Sequence, residues 1–177
     1  MINMRNVKIY ETARIVGIDN IEFGDNIIID DFVFIYAKKK IKISNYVHIG
    51  SFSSITGGDE VVFDDFSGLS MGCRIFTGTE DFSGCGFGNP TIPEEYRNVK
   101  RAPVRIGRFA VLGANTVVLP GVTVGEGVTV GANSVVTTDL ESWGVYVGNK
   151  RIRERDKDGV LDNYRRFLKS QGLKGKG

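Results

Sequence analysis

Few residues in this sequence are equipped for chemistry, and the two that stand out first are adjacent. Glu80 and Asp81 close the run TGTED, Thr77–Asp81. A carboxylate can take the proton of a reacting hydroxyl or amine when burial or a like-charged neighbour raises its proton affinity toward neutrality. Either acid is thus a candidate base, and the plain alternative is that both solvate a loop. His48 is the sole histidine and is the side chain that titrates nearest neutrality by default. With no second histidine, His48 and the cysteines Cys73 and Cys85 do not make up a zinc site, and no metal is expected. Two cysteines are also too few for a disulfide framework. Two groups of cations complete the inventory: Arg97, beside Tyr96, and the cluster Lys150, Arg151, Arg153, Arg155. Cations in general favour phosphate, and a solvated basic surface is the plain alternative.

The elements that must hold these residues follow a six-residue rule. From Val104 the chain divides into VRIGRF, AVLGAN, TVVLPG, VTVGEG, VTVGAN and SVVTTD, with Ile106, Leu112, Val118, Val124, Val130 and Val136 in third place. First places are small or β-branched, and glycine often follows the large apolar residue. Neither a helical stripe nor a long alternating strand produces this period. Short strands with two inward residues and one outward, separated by turns, do produce it. Three hexads make one triangular coil of 18 residues, and stacked coils pair their strands about 4.8 Å apart. The N-terminal half repeats the rule as Phe23, Ile29, Ile35; Ile43, Ile49, Ile55; Phe63, Leu69, Ile75. Steps of eight between these trios put two additional residues at one corner, near Ala37 and Lys38 and again near Gly57 and Gly58. Ile9 and Ile15 carry the register toward the N-terminus.

Between Ile75 and Ile106 the step grows to 31, so one long loop, about residues 78–102, leaves the solenoid. Long loops on rigid scaffolds concentrate binding groups. The alternation puts His48 outward, between inward Val47 and Ile49 and beside Ile28 and Gly68 of the neighbouring coils, and puts Cys73 inside. A last strand is expected around Val145 and Val147. Val160, Leu161, Tyr164, Phe167 and Leu168 then fall at helical spacing with Gly172 as a stop, predicting a short helix that covers the open end of the solenoid. The organisation read from sequence is an all-β solenoid over residues 1–157 and a helix with its tail over 158–177. A formal net charge of +2 with mixed signs argues against a broad nucleic-acid surface. With no signal-like leader and no apolar run of about 20 residues, a soluble cytoplasmic protein is expected.

The segment RAPVRIGRFAVLGANTVVLPGVTVGEGVTVGANSVVTTDL, followed by VYVGNK, resembles the hexapeptide-repeat acyltransferases, in particular the branch acting on sugars, nucleotide-linked sugars and small xenobiotics. The resemblance implies a left-handed parallel β-helix, a homotrimer, acetyl-CoA as donor and a sugar or nucleotide-sugar acceptor, with surface-polysaccharide synthesis as the setting. It further implies a base in the TGTED run, where Glu80 takes the place of the histidine in runs such as TATHP. Asp81 and His48 remain alternatives for that role, and an amine acceptor would ask less of any base than a hydroxyl. The resemblance places coenzyme A along the C-terminal coils, near the small turn residues Gly113, Ala114, Gly131 and Ala132 and the cations Lys150, Arg151 and Arg153. Tyr96 and Arg97 become candidates for the acceptor. A noncatalytic trimeric scaffold is the competing reading, favoured by the missing histidine and disfavoured by the retained loop.

Overall fold

The computed structural model describes residues 6–172. The hexads fold as short strands on three faces of a parallel β-helix. One face stacks Val7–Ile9, Ile27–Ile29, His48–Ile49, Gly68–Leu69, Val111–Leu112, Thr129–Val130 and Gly144–Val147, and the antiparallel strand Lys150–Glu154 closes its end. A second face runs from Arg14–Val16 through Phe34–Tyr36, Ser54–Thr56, Arg74–Phe76 and Val117–Val118 to Val135–Val136. The third holds Ile21–Phe23, Ile41–Ile43, Val61–Phe63, Val104–Ile106 and Thr123–Val124.

The register is the one the period demands. Ile15 pairs with Ile35, Ile29 with Ile49, Ile43 with Phe63, and Leu69 with Leu112 across the long loop. The third-place residues from Ile29 to Val136 form one continuous buried column. Polar first-place residues are buried too, at no loss of hydrogen bonding. Ser67 donates to Asp64 O at 2.7 Å, Thr116 to Gly113 O at 2.7 Å and Ser134 to Gly131 O at 2.6 Å, so each hydroxyl satisfies a corner carbonyl. Cys73 is buried among them, and burial pushes its thiol pKa up, as suits a core residue and not a nucleophile.

Corners are set by residues in the left-handed backbone region. Between the third and first faces these are Asn26, Tyr46, Phe66, Phe109 and Trp143, with φ between 58° and 63°. Their rings stack up the edge: Tyr46 on Phe66 at 4.7 Å, Phe66 on Phe109 at 5.5 Å and Phe109 near Trp143 at 6.4 Å. Helix α1, Lys157–Ser170, begins at the Asp156 cap, whose carboxylate accepts from Gly159 N at 2.9 Å. Its Tyr164 and Phe167 meet the stacked rings edge-on, at 5.2–5.6 Å from Tyr46, Phe66 and Phe109. Arg155 leads into the helix by donating to Phe109 O and Gly127 O. The helix expected over the open end thus lies along a side of the solenoid. The reason is the aromatic edge, which offers its apolar side chains a ready surface.

Candidate active site

The two additional residues per coil sit at the corner between the second and third faces, as Ala37–Lys40 and Gly57–Glu60. The long loop grows from the same corner one coil later. Its base is a two-stranded antiparallel ribbon, Gly78–Thr79 against Lys100–Arg101. Gly78 has to be small, because a Cβ there would lie 2.6 Å from Gly57 O. The ribbon is therefore pressed against the coil below, and Glu80 follows it directly.

Glu80 and Arg97 form an ion pair across the loop. The guanidinium reaches both carboxylate oxygens, Nε lying 3.3 Å from Oε2 and a terminal nitrogen closer still to Oε1. Their side chains are 23% and 15% exposed, so the pair is mostly withdrawn from water without being sealed. Beside it opens a cavity of about 420 Å³ lined by Gly84, Cys85, Gly86, Phe87, Glu95, Tyr96 and Arg97. Arg97, expected from sequence to face the acceptor, has its charge committed to Glu80. Tyr96 lines the cavity as an exposed residue. The signal that could have joined these two charges was their placement at opposite ends of one loop.

Asp81 has a different environment from its neighbour. It accepts from Ser83 N at 2.9 Å, Ser83 Oγ at 2.5 Å and Gly86 N at 2.8 Å. The Ser83 hydroxyl above all, then the backbone amides, hold its carboxyl at about 2, against an ordinary 3.8. A carboxylate so fully engaged is a poor proton acceptor at neutral pH and a good organiser of a turn. The two acids of TGTED are thus separated by environment, Asp81 fastened within its own turn and Glu80 to Arg97 across the loop.

His48 points outward on the first face between Ile28 and Gly68, as the alternation required. Its Nε2 lies 2.8 Å from Asp30 Oδ2. That face is not the corner that carries Glu80, so one chain does not join the two. The expected cofactor residues gather on the same first face and its adjoining corner. Gly113 follows Val111–Leu112, Gly131 follows Thr129–Val130, and Ala114 O accepts from Asn133 N at 2.8 Å. The glycines differ in what requires them. A Cβ on Gly113 would be 2.6 Å from Ala132 N, so coil stacking demands glycine there, whereas Gly131 has 3.4 Å to its nearest neighbours. In the strand Lys150–Glu154, Arg151 is taken up by Glu154 at 2.5 Å and Glu141 at 3.3 Å. Lys150 and Arg153 are exposed and make no ion pair among the described residues, which leaves their charge available to a phosphate.

A solenoid of hexads interrupted by one long loop defines a class, and comparison with known proteins agrees with it. The family model "Bacterial transferase hexapeptide (six repeats)" matches residues 103–138, and the chain belongs to the hexapeptide-repeat acyltransferases. Among individual proteins, it is 41% identical over 155 residues to the dTDP-4-amino-4,6-dideoxy-D-glucose acyltransferase of Escherichia coli, covering 86% of this chain and 81% of the relative. It also superposes on AntD, an N-acyltransferase from Bacillus cereus solved with dTDP and 3-hydroxybutyryl-CoA, with a TM-score of 0.89 and 35% identity over 94% of this chain and 89% of that one. A mutant of AntD, at TM-score 0.89 and 34% identity with the same coverage, holds dTDP-4-amino-4,6-dideoxyglucose and coenzyme A. No helix among the described residues is long and apolar enough to cross a membrane.

Proposed function

We propose that this protein is an N-acyltransferase that moves an acetyl group from acetyl-CoA to the amino group of a dTDP-linked amino sugar in the cytoplasm, for surface-polysaccharide synthesis. Glu80 carries the reading. It occupies the place where the family resemblance puts the base, it is held by Arg97 at the mouth of a cavity, and the relatives named above act on or bind a 4-amino sugar nucleotide.

The chemistry asked of the chain is modest. The free amine attacks the thioester carbonyl, the C–N bond forms as the carbonyl becomes an oxyanion, and collapse expels the coenzyme A thiolate. The proton lost by nitrogen ends on that thiolate, leaving the amide and the free thiol. Glu80 accepts a hydrogen bond from the amine, aims its lone pair at the carbonyl and takes up its proton on the way to the thiolate. Arg97 keeps the carboxylate fixed in place. The donor lies along Gly131 and Ala132, with Lys150 and Arg153 near its phosphates. A homotrimer would set this first-face groove beside the loop of another copy. The exposed apolar residues Phe32, Phe52, Met71, Val111 and Val135 around the first and second faces favour such an assembly.

The test is a coenzyme A release assay with acetyl-CoA and either dTDP-4-amino-4,6-dideoxyglucose or its 4-hydroxy counterpart, with product masses measured. Thiol release and an added acetyl group with the amino sugar alone are expected. Release with the hydroxy sugar alone would reverse the assignment of the nucleophile, and release with neither would favour a noncatalytic scaffold.

A further inference from the structure

The corner that supports the long loop brings together two cations that are 63 positions apart in sequence, Lys38 and Arg101. Both lie over the Gly57–Gly58 turn. Arg101 Nε donates to Gly57 O at 3.1 Å, and a Cβ added to Gly58 would meet Lys38 Cδ at 3.4 Å and Arg101 Nε at 3.8 Å. The two side chains bury Gly58 while remaining exposed themselves. Gly57 and Gly58 have φ of 110° and 80°, a backbone suited to glycine, and at Gly58 no larger side chain stands between the cations.

The nearby acids Asp59 and Glu22 are engaged chiefly by other lysines. Asp59 is bound to Lys39 at 2.9 Å, and its carboxyl is held low mainly by that hydrogen bond, with Arg101 a lesser contributor. Glu22 is bound to Lys40 at 2.6 Å. The Lys38 stem and the Arg101 guanidinium share one turn, and an anion within reach of both charges is attracted by both. Their place matters as much as their charge. Arg101 pairs with Gly78 in the ribbon, and Glu80 follows two residues later, at most about 7 Å along the chain.

We infer that Lys38 and Arg101, over the Gly57–Gly58 turn, bind the diphosphate of the nucleotide-sugar acceptor and so place its amine at Glu80. The inference rests on the function proposed above and assigns the acceptor's diphosphate to this corner, with Arg97 serving Glu80. Coenzyme A also carries a diphosphate, so the two sources have to be separated by experiment.

Calorimetry on the full-length protein would compare dTDP and coenzyme A binding to wild type, Lys38→Met, Arg101→Met, the double variant and the control Lys169→Met on helix α1. Methionine keeps the stem that covers Gly58 and removes the charge. Each corner substitution should raise the dTDP dissociation constant roughly tenfold and the pair on the order of 10²-fold, leaving coenzyme A affinity unchanged and the control like wild type. With subsaturating acceptor, kcat/KM of Lys38→Met should fall by the same factor as its dTDP affinity, while Lys169→Met stays at the wild-type value. Arg101→Met also loses the bond to Gly57 O, so Lys38→Met, which loses no hydrogen bond, is the decisive variant. Equal dTDP affinity in wild type and Lys38→Met overturns the inference, as does a loss confined to coenzyme A. A wild type that binds no dTDP overturns the nucleotide-sugar reading and this inference with it, whereas acyl transfer that survives alongside unchanged dTDP binding in the variants sinks the inference alone.

Discussion

Replacing Glu80 by Gln separates two jobs that one carboxylate performs. The amide keeps the shape and can still accept one hydrogen bond from Arg97, but it carries no charge and cannot take a proton. With side chains 15% and 23% exposed, the ion pair falls between surface pairs, worth about 0–1 kcal/mol, and buried ones, whose disruption costs about 3–5 kcal/mol. A value of about 1–2 kcal/mol is reasonable, which loosens the tie across the loop by a factor of roughly 5–30. Arg97→Met suffers the same loosening and keeps the carboxylate. In coenzyme A release assays at saturating substrates, Arg97→Met should therefore lose no more than that factor of roughly 5–30 in kcat. Glu80→Gln should lose on the order of 10²-fold or more, because proton acceptance disappears as well. Amide exchange between residues 78 and 101 should rise to a similar degree in both variants, confirming that the loop is equally affected. Equal kcat losses would mean that Glu80 only fastens the loop. A Glu80→Gln variant within a few-fold of wild type, with His48→Asn inactive, would move the base to the histidine.

Other outcomes follow from the same geometry. Asp81 is held at about 2, below its ordinary 3.8, so the folded loop favours its ionised form; that support is complete above about pH 4 and is lost as pH falls through about 2, and amide protection of Ser83 and Gly86 should follow it. Asp81→Asn should cost less activity than Glu80→Gln. Gly113→Ala forces a Cβ to within 2.6 Å of Ala132 N and should destabilise the solenoid by roughly 1–3 kcal/mol, read as a lower thermal midpoint. Gly131→Ala should fold like wild type, so any loss of coenzyme A affinity there reports the approach of the cofactor. Lys150→Met combined with Arg153→Met should weaken coenzyme A binding more than Arg151→Met, whose charge Glu141 and Glu154 already engage; equal effects in calorimetry would return the whole strand to a structural role.

The coil register was legible because its cause is local and repetitive. Every inward place needs an apolar or small residue, so Ile29, Ile49, Leu69 and Leu112 mark one column in the sequence itself, and the enlarged corner at Ala37 and Gly57 is equally plain. The course of the helix was not legible. Its apolar side chains were visible, but its dock consists of Tyr46, Phe66 and Phe109, residues at left-handed corners that a reading based on inward places passes over. The candidate site was half legible. The family resemblance singled out Glu80, yet its pairing with Arg97 and the convergence of Lys38 with Arg101 depend on where a long loop and a distant corner turn. No period relates residues 17 or 63 positions apart.

The aromatic edge also bears on how the molecule comes undone. A stack of coils held by nearest-neighbour contacts alone should peel from either end, like a zipper with two open tabs. Here the chain leaves the last parallel strand at Val147, turns back through Lys150–Glu154, anchors Arg155 on Phe109 O and lays Phe167 against Tyr46, several coils back. The tail becomes a buckle: the final coils cannot lift away until the helix has released rings belonging to coils nearer the N-terminus. Peeling from the C-terminal side therefore begins with the detachment of α1, and Phe167→Ala should turn one concerted melting transition into two.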